Sequence, residues 1–563
     1  MRHKQFSAIM INQPNRFKYF PAVLFLLAVI LSILTTYHVT GNYIDSDASS
    51  ELVLAKQLSE TGNIISRDWF YSTELRVLNT QLIYAPLFHI FSDWHLVRFS
   101  GAIILQAIYM LSYGFMLNQG GFSKSDFFLS GSLLLLPVSV AYGRIMLYHC
   151  YYIPHIALSF FLVGLFLGFV KGAALSPVKD CIRLGFLLFF SFIGGLGGIR
   201  QLMITHAPMI LLILLLCLIE DLHSNDTGKA SFFSAQKLLP LMIAMLALLA
   251  AYLGYKVNTD IFPKYYSFRS YDNTALSTPK TSELGNILYS FLHQFGYRKT
   301  IGVMSLLGIL SLGSIPAAGF CLYIAYKNAR CCKVTTDLRK PFVFLFFLSY
   351  VVVMTTIFLI TKSVGIYNYT LYYVLCLPWA APLLLSIPTY FPPEIHPFNF
   401  RRIFSWISIV ILFANGFANI VYFRTGRFGQ PYEGLSFQEK NKAVQLTELV
   451  DYLVENDYDS GYGTFWECNL ITELSDGQLP MSNISITKDT SENVYLCYYD
   501  WLTFQSQRDA PKEKAFLIIP SASQQLFEQS YNFSYCTCIY SDDFHCAYHI
   551  DDMDHFLKTM YDY

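Results

Sequence analysis

The sequence predicts a polytopic α-helical membrane protein of about eleven spans, N-terminus inside and C-terminus outside, with a small α/β domain after the last span. Three observations predict it. Of 563 residues, 54% are apolar and only 14% charged, against roughly 25% charge in a soluble domain. Eleven apolar runs approach the ~20 residues that cross a hydrocarbon core of about 30 Å. Lys and Arg recur in every second connection between those runs, as they do on the cytoplasmic side of membrane proteins. The composition excludes a soluble enzyme, a disordered chain and a disulfide-stapled miniprotein. With 39 basic and 39 acidic residues there is no polycationic face, so no nucleic-acid partner is expected.

Taken in order, the runs are Pro21–Val39, Phe99–Leu117, Phe127–Ala141, Tyr152–Val170, Leu184–Gly198, Leu202–Ile219, Leu238–Tyr255, Ile301–Tyr326, Pro341–Ile360, Leu371–Ile387 and Ile403–Tyr422. The third and fifth are short. The first is too long for a cleaved signal peptide and reads as a signal anchor. Arg2, Lys4, Arg16 and Lys18 precede it and place the N-terminus in the cytoplasm. Later basic connections hold Lys124, then Lys171, Lys179 and Arg183, then Lys229 and Lys237, then Lys327 to Lys340, then Arg401 and Arg402. Strict alternation leaves Gly41–Leu96, Lys256–Thr300 and the tail outside. The expected division is a membrane domain, 1–423, with outer loops 41–96 and 256–300, and an outer domain, 424–563.

The tail is more polar and alternates helical with strand periods. Gln438–Glu455 reads as an amphipathic helix and Ser523–Gln529 as a second helix. Tyr462–Trp466, Ile484–Thr487, Ala515–Ile519, Tyr535–Tyr540 and Cys546–His549 read as strands, a mixture that suggests a small α/β domain. Two readings of Trp466 and Trp501 stay open: core residues of that domain, or platforms for sugar stacking. Cys536-x-Cys538 followed by His545-Cys546 is only a faint metal-ligand pattern.

The first outer segment begins GNYIDSDASSELVLAKQLSETGN at Gly41. Asp45 and Asp47 follow the first span directly, and Asp47 and Glu51 are i,i+4 neighbours on a helix face. Ala48, Leu52 and Ala55 form an adjacent apolar stripe, expected of a short helix lying along the bilayer surface. Asp45 or Asp47 caps this helix, or acts as a general base at the membrane surface; one residue can do both.

A carboxylate after the first span, a small residue at Ala55, the pair Pro86-Leu87 and Arg98 entering the second span together resemble the protein O-mannosyltransferase-like, aminoarabinose-transferase-like branch of the GT-C membrane glycosyltransferases. The resemblance implies a GT-C-like fold and a bacterial plasma-membrane enzyme. Such an enzyme moves a sugar, with inversion, from a polyprenyl-phosphate donor to a glycan, lipid or protein acceptor at the outer face. It implies Asp47 as the first-loop acid, with Asp45 second; the position after Asp47, acidic in many relatives, is Ala48 here. A divalent metal, if used, falls to Asp45, Asp47, Glu51 and His149 or its neighbour His155, because Tyr142–Pro154 holds no carboxylate.

A departing lipid phosphate needs fixed positive groups. The candidates are Arg200, Lys256, Lys264, Arg269 and Arg98, with Arg298 further along. Arg200 stands in the apolar stretch GGLGGIRQLMITHAP, where a lone Arg either faces a cavity or snorkels to the surface. Lys264 and Arg269 are interleaved with Tyr265, Tyr266, Phe268 and Tyr271, which is a sugar-phosphate surface or an interfacial aromatic belt. No Gly-rich nucleotide loop occurs, which disfavours a nucleotide-sugar donor. Two other classes stay in view, a transporter or lipid flippase and a catalytically inactive GT-C-like descendant. The first would need ionisable residues deep in the spans.

Overall fold

A computed structural model describes residues 19–72, 75–170, 176–224, 235–269, 275–278, 281–299, 301–331, 337–362, 365–390, 400–425, 442–489, 492–508 and 513–560. Arg2, Lys4, Arg16, Lys18, Lys171, Lys229, Lys333 and Tyr271 lie outside the described residues.

Every apolar run contains helix. Among the described residues six helices are long and apolar enough to cross a membrane: α1 (Phe20–Asn42), α3 (Trp94–Gln119), and Leu238–Lys264, Leu306–Lys327, Arg339–Ile360 and Ile403–Thr425. The chain is a polytopic helical membrane protein. A further pair, Val140–His149 and Ile153–Phe169, is bent by 100° and counts as a seventh span if its halves are taken together. The other runs are shorter or interrupted. The third run is cut between Lys124–Leu134 and Val140–Arg144, where Pro137 has no amide hydrogen to continue the ladder and Ser139 caps the restarting helix through Tyr142 N. The helices Pro177–Leu196 and Ala235–Lys256 cross at Gly195 and Gly254. A Cβ at either would fall 1.9 or 2.1 Å from a backbone carbonyl oxygen of the other helix, the close approach that small residues permit in a bilayer.

Helix α2 (Ser46–Thr61) starts three residues after α1. Its stripe Ala48, Leu52 and Ala55 is wholly buried, packed between the helix Gln81–Leu87 and the tail. The apolar face expected against lipid is instead covered by protein.

The tail forms α4 (Lys442–Glu455), α5 (Phe465–Leu474) and a six-stranded mixed sheet. Its strands are β3 (Ser460–Thr464), β4 (Met481–Lys488), β5 (Val494–Tyr498), β7 (Ala515–Pro520), β8 (Cys536–Ser541) and β9 (His545–Ile550), in the order β5-β4-β3-β7-β9-β8. The central strands β4, β3 and β7 are parallel and the outer pairings antiparallel. The continuous apolar run of β7 follows from burial on both faces: Phe516 and Ile518 join one core, Ala515, Leu517 and Ile519 the other. Gly461 is required beside it, because a Cβ there would lie 2.4 Å from the Phe516 ring. The expected strand through Trp466 ends at Thr464; Phe465 and Trp466 open α5 instead. Strand β5 and helix α5 carry no pattern that marked them in the sequence.

A second, three-stranded sheet joins what the sequence separates. β1 (Trp69–Tyr71) pairs in parallel with β2 (Ser267–Phe268) and antiparallel with β6 (Thr503–Phe504). Segments 41–96 and 256–300 and the tail are thus stitched together at one end of the helix bundle. Next to the sheet, Asp68 accepts from Ser506 N at 2.8 Å and Gln505 Nε2 donates to Ser267 Oγ at 2.8 Å.

Candidate active site

A cavity of about 1010 Å³ lies where these three segments meet, at the top of the ~300–1,000 Å³ range of small-molecule pockets. One wall belongs to the membrane domain and carries Asp47, Glu51, Arg76 and Arg200. The other belongs to the tail and includes Thr464, Phe465 and Trp466 at the end of β3, Ser485 in β4, and Tyr499 and Trp501 beyond β5. The tail's contribution sits at the carboxyl side of its parallel strands, where open α/β sheets bind ligands.

Asp45 and Asp47 have different surroundings. Asp45 is the N-cap of α2, accepting from Ala48 N at 3.1 Å. Its Oδ2 also lies 2.8 Å from Arg144 Nη2 and 3.0 Å from His149 Nε2. Burial alone would raise its pKa, but His149 and Arg144 outweigh that and hold the carboxyl well below the usual range. Asp47, in the first turn of the helix, faces the cavity and its carboxylate takes no hydrogen bond from any described residue. Burial and then the neighbouring Asp45 charge push it up to about 7. A carboxylate poised there is suited to take a proton near neutral pH. Glu51 is engaged: Asn79 Nδ2 donates to it at 2.8 Å, Thr80 Oγ1 also donates, and Arg76 Nη1 is 3.8 Å away.

The cations separate in the same way. Arg200 is 8% exposed, lies on the cavity wall and stacks on Tyr152 and Tyr372, 4.8 and 5.7 Å from their ring centroids. It faces a cavity rather than snorkelling. Arg76, which the sequence reading passed over, lines the same cavity; its Nε is buried with no hydrogen-bond partner. Arg269 stacks over Tyr499 at 4.5 Å, so it reaches the cavity rim through a lining residue. Lys256 pairs with Asp260 at 2.8 Å on the exposed end of its helix, and Lys264 is exposed; neither lines the cavity. Arg98 does not line it either. Its guanidinium is fully buried, donating through Nε and Nη2 to both oxygens of Glu473 in α5 and to Ala48 O at 3.1 Å. Arg298 donates to Asn419 Oδ1 inside the bundle.

No family model and no curated protein matches the chain. Solved structures do. The chain is similar to ArnT from Cupriavidus metallidurans bound to undecaprenyl phosphate, with a TM-score of 0.51, 11% identity, and 94% of this chain and 98% of that one covered. It is also similar to an oligosaccharyltransferase from Archaeoglobus fulgidus tethered to an acceptor peptide, with a TM-score of 0.50, 13% identity, and 96% and 75% coverage. Both are GT-C glycosyltransferases. The chain has the GT-C fold.

Within that GT-C fold the metal expectation meets a poor donor set. Asp47 and Glu51 share one face of α2, but Asp45, its N-cap, is bound to Arg144 and His149 and Glu51 to Asn79 and Thr80. Among the described residues no group of three His, Cys, Asp or Glu side chains could hold an ion, and the Cys536, Cys538 and His545-Cys546 pattern forms none. In the tail Cys497, Cys536, Cys538 and Cys546 are thiols, not disulfides. Trp466 is 46% exposed and, like Trp501, lines the cavity, which removes the core reading for both. What the site can do chemically is bring one unpaired carboxylate and two guanidinium groups to a shared, partly water-excluding cavity.

Proposed function

We propose that the protein is a membrane glycosyltransferase that moves a sugar from a polyprenyl-phosphate donor to an acceptor hydroxyl at the outer membrane face, with inversion. The observation that carries this reading is the cavity-facing Asp47, unpaired and held near neutral pH, in one cavity with Arg76 and Arg200. Asp47 takes the acceptor's proton as the hydroxyl oxygen attacks the anomeric carbon. The bond from that carbon to the lipid phosphate breaks on the opposite face, and the phosphate leaves with the bonding electrons. Arg76 and Arg200 meet the charge it gains. Asp45, bound by Arg144 and His149, positions α2 rather than touching substrate. The GT-C fold supports the donor class, since the similar ArnT structure holds undecaprenyl phosphate. Gathering the three segments expected outside at one end of the bundle supports their sharing one side of the membrane, and the basic residues of the alternate connections support N-in, C-out orientation.

The test is transfer by purified protein from a panel of radiolabelled polyprenyl-phosphate sugars. Asp47→Asn should lower turnover by roughly 10²–10⁴-fold, the scale of general-base catalysis, with donor binding retained. Arg200→Met should weaken donor binding instead. Full turnover by Asp47→Asn would take Asp47 out of the chemistry.

A further inference from the structure

The two walls of the cavity differ in charge. Among the described residues the four charged ones on the lining, Asp47, Glu51, Arg76 and Arg200, come from the membrane domain. The described tail residues on the opposite wall carry no charge: they are aromatic, aliphatic or hydroxyl-bearing, and Trp466 presents nearly half its surface. We propose that this tail wall is a saccharide subsite on the acceptor side, where Trp466 and Trp501 stack on the apolar face of a neutral sugar and Ser485 and Ser523 reach its hydroxyls. The proposal rests on the transferase reading and names the acceptor's chemical class.

The chemistry of the wall narrows the ligand. A pyranose has a C–H face that an indole covers and hydroxyl edges that need polar partners, which matches aromatic platforms flanked by serines. A lipid chain would bury the Ser523 hydroxyl unsatisfied, at a cost. An extended peptide binds most readily by adding a strand to an open sheet edge. Strand β4, however, is paired on both sides by β3 and β5, and β3 by β4 and β7, so the two strands that carry Thr464 and Ser485 offer no free edge. Phe465 backs Trp466 edge-on, 5.2 Å between ring centroids, which holds the exposed indole in place. The carboxylate that would activate the sugar's hydroxyl, Asp47, faces the same cavity.

The experiment uses the full-length protein in lipid nanodiscs. Saturation-transfer NMR is recorded with a panel of neutral glucose, galactose, mannose and N-acetylglucosamine oligosaccharides, and separately with a Ser/Thr-containing peptide. Neutral oligosaccharide should receive saturation mainly on ring C–H protons. Trp466→Ala and Trp501→Ala should each weaken that binding about tenfold or more, as loss of a central aromatic contact does, while Trp466→Tyr largely restores it. Undecaprenyl phosphate binding should be equal in all variants, which also shows them folded. Absence of saccharide binding, its survival in the double Ala variant, or peptide binding that alone depends on the two Trp residues would overturn the subsite. The outcomes separate from the transferase reading. Saccharide binding without turnover from any donor leaves the subsite and removes the enzyme, whereas turnover on a lipid or peptide with no saccharide bound does the reverse.

Discussion

Asp45 and Asp47 are two positions apart, and their surroundings drive them in opposite directions. Arg144 pairs with Asp45 and His149 hydrogen-bonds it; Asp45 stays ionised and, by its charge, helps keep the proton on Asp47. A base must be deprotonated, so transfer should fall as pH drops through about 7. Asp45→Asn keeps a residue able to cap α2 but deletes the adjacent charge. The acidic limb of the rate profile should then move to lower pH, as kcat/KM measured across pH 5 to 9 in about half-unit steps would show; an unmoved limb would mean that another group titrates. The same shift has a stability consequence. A carboxyl whose folded pKa is raised contributes stability that is full below its unfolded value of about 4 and is lost as pH rises through the folded value. Asp47→Asn should therefore raise the melting temperature, and more at pH 8 than at pH 5. At this scale the sequence was readable as far as residue type and place: both acids and Arg200 stood out. Which acid is spent on a cap and which is free depended on Arg144, 99 residues from Asp45, and Arg76 carried no signal beyond lying in the same segment.

The elements around the site are held by contacts that no local pattern announces. Arg98 opens the second span helix α3 and is bound by Glu473 of α5, 375 residues later. Removing one partner of a buried ion pair leaves the other uncompensated, at a cost of ~3–5 kcal/mol, whereas an apolar pair of similar size is often neutral. Arg98→Ala and Glu473→Ala should each lower thermal stability and make the tail easier to proteolyse. The double variant Arg98→Met/Glu473→Leu should recover most of the loss; a double variant as unstable as either single one would show that the charges are needed for another reason. Helix α2 was legible from its acids and its apolar stripe, but the stripe's partner was not. Amphipathic periodicity says that a face is covered, and α5 and Gln81–Leu87 rather than lipid cover it. Strands of two or three residues such as β1, β2 and β6 are too short to show a period.

Across the whole molecule, the basic connections predict one topology, and two native thiols test it. Cys538 on the tail strand β8 and Cys181 at the start of Pro177–Leu196 are both exposed; the first is expected outside, the second in the cytoplasm. A membrane-impermeant maleimide should label Cys538 in intact cells and Cys181 only after permeabilisation, read against Cys538→Ser and Cys181→Ser; labelling of Cys181 alone in intact cells would invert the orientation. By itself the sequence determined the membrane class, the places of the helices, the mixed tail and the position of the acids beside the first span. It could do so because hydrophobicity, charge bias and periodicity are local properties, summed over windows of about 20 residues. The tertiary structure decided that the tail is a wall of the cavity, that Arg98 fastens it there and Arg200 faces inward, and that Lys256 and Lys264 stay outside. Those outcomes depend on contacts between segments hundreds of residues apart, where side-chain packing and desolvation, not local pattern, select the partner.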